Sequence, residues 1–412
     1  MLFLYNSGIK IYYLLIQIYQ YFNPKAHLWL EGRKNIFEKI STEVDPTTPS
    51  IWFHFASLGE FEQGRPVLER AKDSYPTHKI IVTFFSPSGY ELRKNYKIAD
   101  HIFYLPLDTT NNAKRFVELV NPSLAIFTKY EFWYHYYNEL NQRNTPLIVI
   151  SAIFRESQSF FKWYGALNRK ILHFVTHFFV QDENSKNLLA GIGIKNVTIC
   201  GDTRFDRVVQ NAENPKKFEV VEQFCSEKNV FVAGSTWPQD EKIISELVKT
   251  YPDWKFIIAP HEIKEEKIAS LLSMTGSAVR YSELKTQAAH AKNYQALIID
   301  NIGMLSSLYQ YGKIAYIGGG FGVGIHNTLE AAAFGVPVIF GPNYQNFREA
   351  KALIQLGAGF SVSNADELLN TMKDLQNEQA RIESAHSAKH YVAKEKGATD
   401  NILSYMDEII RK

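Results

Sequence analysis

From Ile51 onward, short apolar runs alternate with longer polar, helix-forming stretches. In the first half the runs are Ile51–Phe55, Lys79–Phe84, His101–Leu105, Leu124–Phe127, Leu147–Ser151, Phe178–Gln181 and Val197–Cys200. In the second half they are Val230–Ala233, Phe256–Ala259, Ala296–Ile299, Ile314–Ile317 and Val336–Phe340, with a shorter one at Gly359–Val362. The runs are nearly continuous in apolar residues rather than alternating, as in parallel strands covered on both faces. Their spacing, roughly 20–25 residues, is that of repeated strand–helix units. The pattern predicts an α/β protein of two Rossmann-like, doubly wound domains.

The N-terminus follows a different pattern. Ile9 to Phe22 is mostly apolar, and Lys10, Gln17 and Gln20 fall on one narrow helical face near Asn6. About 14 helical residues reach about 21 Å, short of a hydrocarbon core of roughly 30 Å. No basic n-region or small-residue cleavage site marks a signal peptide. Lys25, Arg33, Lys34 and Lys39 follow. An apolar face followed by basic residues suggests a helix lying in a membrane interface. The alternatives are a helix packed on its own domain and a spanning helix starting near Leu2, which would leave the main body in the cytoplasm. The expected organisation is an amphipathic, membrane-anchoring segment (1–40), a first Rossmann-like domain (41–206), a polar linker (207–229) with room for a helix through part of it, a second Rossmann-like domain (230–385) and a helical tail (386–412).

Composition narrows the function without defining it. The chain has 412 residues, 45% hydrophobic and 21% charged, with a net charge of +2. That balance is ordinary for an enzyme and carries no nucleic-acid footprint. Cys200 and Cys225 lack metal-ligand spacing and read as two structural thiols in a reducing compartment.

The candidate chemistry lies just after strands, where ligands sit in open parallel sheets. Glu60 follows the first run in Ala56-Ser57-Leu58-Gly59-Glu60, at or near the first turn of a helix. It is placed either to deprotonate a hydroxyl or simply to complement the helix dipole; Glu62 competes with it. Glu131, in Tyr130-Glu131-Phe132-Trp133, is either a second cleft carboxylate or the ion-pair partner of Lys129 or a nearby arginine. Arg204 reads as a phosphate or carboxylate ligand, or as a partner of Asp202 or Asp206. In the second half, Gly234-Ser235-Thr236, Pro260-His261, Asp300-Asn301-Ile302-Gly303-Met304 and Gly341–Glu349 all follow strands. The densest signal is Gly318-Gly319-Gly320-Phe321-Gly322-Val323-Gly324, running into His326-Asn327-Thr328-Leu329-Glu330. A glycine turn between strand and helix lets backbone amides approach a phosphate, and Glu330 is placed to accept a sugar hydroxyl. The sequence has no Asp-X-Asp and no Walker lysine signature, and the glycine loop is not a dinucleotide fingerprint.

In this order, these motifs resemble the transferases of 3-deoxy-D-manno-octulosonic acid (Kdo) in lipid A biosynthesis. Besides those quoted, Gly32-Arg33-Lys34, Thr83–Gly89, Gly201–Asp206 and Asn346-Phe347-Arg348-Glu349 carry the resemblance. It implies a GT-B fold, two domains facing across a cleft, and transfer of Kdo from CMP-Kdo to a lipid A precursor such as lipid IVA at the cytoplasmic face of the inner membrane. It implies Glu60 as the catalytic base and Glu131 as a second cleft carboxylate. It also implies donor contacts from Pro260, His261, Ile302, Gly303, Met304, Asn327, Thr328, Leu329 and Glu330. Arg204, Ser235, Thr236, Gly319, Gly320 and His326 complete the expected donor site. Departures from the commoner family pattern are Pro-His-Glu at Pro260–Glu262, Arg204 for lysine, Trp237 for histidine, Met304 for glutamate, and a glycine loop one residue shorter. The expected reaction is an inverting, metal-independent displacement without a cofactor. The rival readings are a GT-B transferase using a UDP-sugar, a UDP-sugar 2-epimerase of similar fold, and a non-catalytic membrane-associated scaffold.

Overall fold

The computed structural model describes residues 1–286 and 288–411. It contains two parallel seven-stranded sheets flanked by helices. The first is built from β1 (Ser50–Phe55), β2 (Lys79–Phe84), β3 (His101–Tyr104), β4 (Pro122–Thr128), β5 (Leu147–Ala152), β6 (His177–Val180) and β7 (Val197–Ile199), in the order β3-β2-β1-β4-β5-β6-β7. The second uses β8 (Val230–Thr236), β9 (Lys255–Pro260), β10 (Ala278–Arg280), β11 (Ala296–Ile298), β12 (Ile314–Ile317), β13 (Val338–Phe340) and β14 (Gly359–Ser361), in the order β10-β11-β9-β8-β12-β13-β14. Each sheet winds outward both ways from one strand, β1 or β8. The gaps β1/β4 and β8/β12 are therefore topological switch points, where flanking loops part and ligands bind.

Both faces of each sheet are buried. Trp52, Phe116, Phe127 and Tyr136 sit together on one face of the first sheet, with Trp52 ring centroids 4.8, 5.0 and 5.7 Å from the other three. Such tilted and edge-on pairs add about 0.5–1.5 kcal/mol each beyond area burial. The opposite face packs Phe53, Phe55, Phe61 and Phe84.

Chain contacts divide the molecule into an N-terminal unit, Met1–Arg207 with Gly397–Lys412, and a C-terminal unit, Val208–Lys396. The segment 207–229, expected as a linker, is largely helical. The helix Thr203–Glu213 runs through its start, and the helix Glu219–Cys225 buries Val221, Phe224 and Cys225. Apolar residues at helical spacing outweigh the charged surroundings there. The tail also divides: Glu378–Glu395 belongs to the C-terminal unit, whereas the helix Ala398–Ile410 packs Ile402, Leu403 and Met406 against Phe53 and Ile80 of the N-terminal unit. Asp206 fixes that return, accepting from Gly397 N at 2.6 Å and from Thr399 N and Oγ1 at 2.7 Å.

The first helix, Leu2–Tyr19, buries no residue. Among the described residues no helix is long and apolar enough to cross a membrane, which removes the spanning alternative. The helix attaches through polar and aromatic groups. Tyr5 donates to Asp108 at 2.5 Å, Asn6 Oδ1 meets His135 Nε2 at 2.6 Å, and the Tyr12 ring approaches Trp29 and Phe85. Phe3, Leu4, Ile11, Leu14, Leu15 and Ile18 are left exposed.

Candidate active site

Glu60 and Glu131 follow β1 and β4, the two strands that border the switch point of the first sheet. Glu60 lies in the first turn of the helix Leu58–Ser74, and its Oε2 accepts from Ala56 N at 2.6 Å. Its Oε1 has no hydrogen-bond partner among the described residues. Burial, and after it the negative charge of Glu131, pushes the Glu60 carboxyl up to about 7. A carboxylate near neutrality, with one oxygen anchored and the other open, suits a general base. Glu62, the competitor, is held by Arg93 at 2.7 Å and Arg65 at 3.4 Å.

Glu131 is not paired as an exposed ion. Its Oε2 accepts from Trp133 Nε1 at 2.9 Å and from His54 Nε2 at 3.4 Å. His54 was not singled out from the sequence, although it is the one polar residue in the apolar run Ile51–Phe55. It is fully buried, and its Nδ1 lies 2.8 Å from Thr83 Oγ1. Thr83 Oγ1 also accepts from Trp52 Nε1 at 2.8 Å. An indole N–H only donates and a carboxylate only accepts. The chain therefore has one consistent polarity: Trp52 to Thr83, Thr83 to His54, His54 to Glu131. Burial holds His54 below its ordinary pKa, so the imidazole in this relay is neutral.

Arg204, expected as a donor ligand or as an ion-pair partner, is paired with Asp202 and keeps part of its side chain exposed. Its Nε donates to Asp202 at 2.9 Å, and Asp202 also accepts from Gln63.

In the C-terminal unit a cleft of about 350 Å³ opens at the β8/β12 switch point. Ser235, Gly303, His326, Asn327 and Glu330 line it, together with Leu305, Ser306, Tyr309 and Ile317. Ser235 has φ 55°, at a register irregularity in β8. Lys129, just past β4, and Ser151 in β5 share that left-handed conformation, with φ 58° and 51°. Non-glycine residues held this way cost about 1–3 kcal/mol each and gather at functional sites. Asn327 Oδ1 accepts from Leu329 N, and its Nδ2 donates to Glu330 Oε1, both at 3.2 Å, which aims the carboxylate.

The other expected donor residues are not among those that line this cleft. The Thr236 hydroxyl donates to Glu241 at 3.0 Å in the interior. Thr328, Leu329 and Met304 are buried, whereas Ile302 is 90% exposed. The Thr328 hydroxyl has no partner among the described residues. Pro260 ends β9, and His261 beyond it stacks on His326 at 4.4 Å. Close backbone packing requires glycine at two positions of the loop. A Cβ on Gly318 would overlap the Ser235 carbonyl, and one on Gly320 would lie 2.6 Å from Gly341. The Gly319 amide points inward to Asp240 Oδ2 at 2.9 Å, and Asp240 also takes the Tyr316 hydroxyl. The helix after the loop, Leu329–Ala333, has five residues, so its dipole contributes little. Among the described residues no group of three or more His, Cys, Asp or Glu is placed to hold a metal ion.

The family model for 3-deoxy-D-manno-octulosonic-acid transferase (kdotransferase) matches residues 31–207. The 3-deoxy-D-manno-octulosonic acid transferase of Aquifex aeolicus is 30% identical over 342 residues, covering 81% of this chain and 88% of that protein. The transferase of the same name from Chlamydia trachomatis serovar A is 30% identical over 363 residues, covering 85% and 83%. The chain belongs to the Kdo transferase family.

Solved structures add the fold. A UDP-N-acetylglucosamine 2-epimerase described as putative, from Listeria monocytogenes, superposes with a TM-score of 0.62 at 14% identity, covering 87% of this chain and 96% of that one. Acinetobacter baumannii MurG superposes with a TM-score of 0.55 at 12% identity, covering 87% and 100%. The architecture is thus of GT-B type, and as a Kdo transferase the chain is a glycosyltransferase. The family match spans Glu60, Glu131 and the whole His54 relay.

Proposed function

We propose that this Kdo transferase moves Kdo from CMP-Kdo to a hydroxyl of a lipid A precursor such as lipid IVA, with inversion at the anomeric carbon and without a metal. The observation that carries this reading is the Glu60 carboxyl, raised to about 7 with Oε1 open, at the switch point of the first sheet. Glu60 removes the proton of the acceptor hydroxyl, and the oxygen attacks the carbon bearing the phosphate. CMP leaves as a stable anion, so no acid is needed on the leaving group. Glu131, oriented by Trp133 and His54, keeps Glu60 basic and contributes negative charge near the developing oxocarbenium character.

The donor nucleotide occupies the cleft of the C-terminal unit, with Glu330 and Asn327 on sugar hydroxyls and Ser235 and His326 as hydrogen-bond donors. The first helix lies in the cytoplasmic interface of the inner membrane, its outward Leu and Ile side chains in the acyl region. That position brings an acylated acceptor to the protein. Incubating the purified protein with CMP-Kdo and a tetraacylated lipid A precursor, then weighing the lipid products, tests the reading. A gain of one or more Kdo units supports it. No gain with CMP-Kdo, but turnover of a UDP-sugar, sinks it.

A further inference from the structure

His326, which lines the cleft in the C-terminal unit, is the end of a stack of three rings. Trp237 lies on His261 with centroids 4.7 Å apart and planes 22° apart, and His261 lies on His326 at 4.4 Å and 24°. The outer two rings are also joined directly: Trp237 Nε1 donates to His326 Nε2 at 3.1 Å. An indole nitrogen has no lone pair to offer, so Nε2 must present its own. A neutral imidazole carries one ring proton, which therefore sits on Nδ1. An imidazolium would set N–H against N–H. Burial, and then the neighbouring His261, pushes His326 down to about 4, so the ring is neutral near pH 7.

The two edges of His326 face different surroundings. Its Cδ2–Nε2 edge lies against the glycine loop, where a Cβ on Gly319 would come within 3.0 Å of Cδ2 and 3.3 Å of Nε2. Nδ1 is on the other edge and has no partner among the described residues, while the ring lines the cleft. Trp237 is itself held, its backbone N–H donating to Asp240 Oδ2 at 2.9 Å.

We infer that Trp237 is a positioning residue that locks His326 as the Nδ1–H tautomer, giving the cleft a neutral hydrogen-bond donor for an acceptor oxygen of the bound nucleotide. The nucleotide half of this inference rests on the proposed donor site; the tautomer half does not. Trp237 does not touch the nucleotide in this arrangement. It acts through His326, and loss of its N–H releases the ring to the mixed tautomers of an unrestrained histidine.

The test uses the full chain with 15N-labelled histidine, the His326 signals being assigned with His326→Gln. In the wild type, Nδ1 should show the protonated, pyrrole-type shift and Nε2 the pyridine-type shift. Trp237→Phe keeps a ring against His261 but removes the donor. It should move His326 toward the Nε2–H form and weaken CMP binding, measured by calorimetry, about 2–10-fold, the equivalent of one neutral hydrogen bond. Trp237→His, which keeps a ring N–H, should restore the tautomer and most of the affinity. A wild-type His326 protonated on Nε2, or an unchanged tautomer in Trp237→Phe, overturns the inference. A changed tautomer with unchanged CMP affinity overturns the positioning role. If Trp237→Phe does not fold, the wild-type spectrum and Trp237→His decide. The expected tautomer in a wild type that binds no CMP overturns the donor-site assignment instead.

Discussion

His54, sealed in the first sheet, donates from Nε2 to Glu131 Oε2 across 3.4 Å. The bond ends a relay that begins at Trp52 and passes through Thr83. It holds Glu131 where its negative charge raises Glu60. Replacing Glu131 by Gln keeps an acceptor for Trp133 and His54 but removes that charge. The Glu60 carboxyl then titrates lower. The acid limb of kcat/KM against pH should shift to lower pH in Glu131→Gln, and a limb that stays in place removes Glu131 from this role.

The same raised carboxyl has a consequence for stability. Glu60 binds its proton more tightly folded than unfolded, with about 7 against an ordinary 4.5. Between those values the native state holds more protons than the unfolded chain, so stability falls as pH rises through that window. The penalty is full above about pH 7 and absent below about pH 4.5. Glu60→Gln should therefore be more stable than wild type at pH 8, by on the order of 1–3 kcal/mol after allowance for partial exposure. The difference should vanish near pH 4. Denaturant unfolding at the two pH values checks this.

The glycine loop separates two kinds of glycine. Gly318→Ala would drive a methyl into the Ser235 carbonyl and to 2.7 Å from Thr236 Cα, both backbone atoms that cannot turn aside. It should cost about 1–3 kcal/mol, as overpacking does, and abolish protection of the protein by CMP against heating. Gly322→Ala meets nothing closer than 3.6 Å and should change stability by less than about 0.5 kcal/mol. Equal losses in the two variants would contradict the packing role assigned to Gly318.

Leu14, Leu15 and Ile18 on the first helix are 56%, 57% and 54% exposed. Replacing all three by Ser removes apolar surface that is mostly open to solvent. Thermal stability should hold, while sedimentation with vesicles containing anionic lipid should fall severalfold. A large loss of stability would mean that the face is structural; unchanged sedimentation would remove it from the membrane interface.

Much of the architecture was legible because each buried parallel strand needs its own apolar run, as in β1, β2 and β12. Ala278–Arg280 escaped because a three-residue strand at a sheet edge needs no such run. The helix Glu219–Cys225 escaped because its three buried residues sit among charges. Glu60, Glu131, His326 and Glu330 stood out because each follows a strand. That Glu60 and Glu131 belong together was implied by the resemblance and not by the hydrophobic pattern: β1 and β4 lie far apart in sequence, and only the sheet order makes them neighbours. His54 and Asp240 were missed for a related reason, and Thr83 entered only as the first residue of a motif, without a role. Each looks like a stray polar residue until the partner that it binds, from another element, is in place. The Gly319 amide shows the limit of motif reading, since glycine content reveals the room for an anion but not which way an amide points.

The most direct measurement is single-turnover transfer by Glu60→Gln, with CMP-Kdo and a tetraacylated lipid A precursor, alongside CMP-Kdo affinity. The expected result is a rate lowered about 10²–10⁴-fold, as for loss of a general base, with affinity near that of wild type. A variant that transfers Kdo at close to the wild-type rate would contradict the assignment of Glu60 as the base.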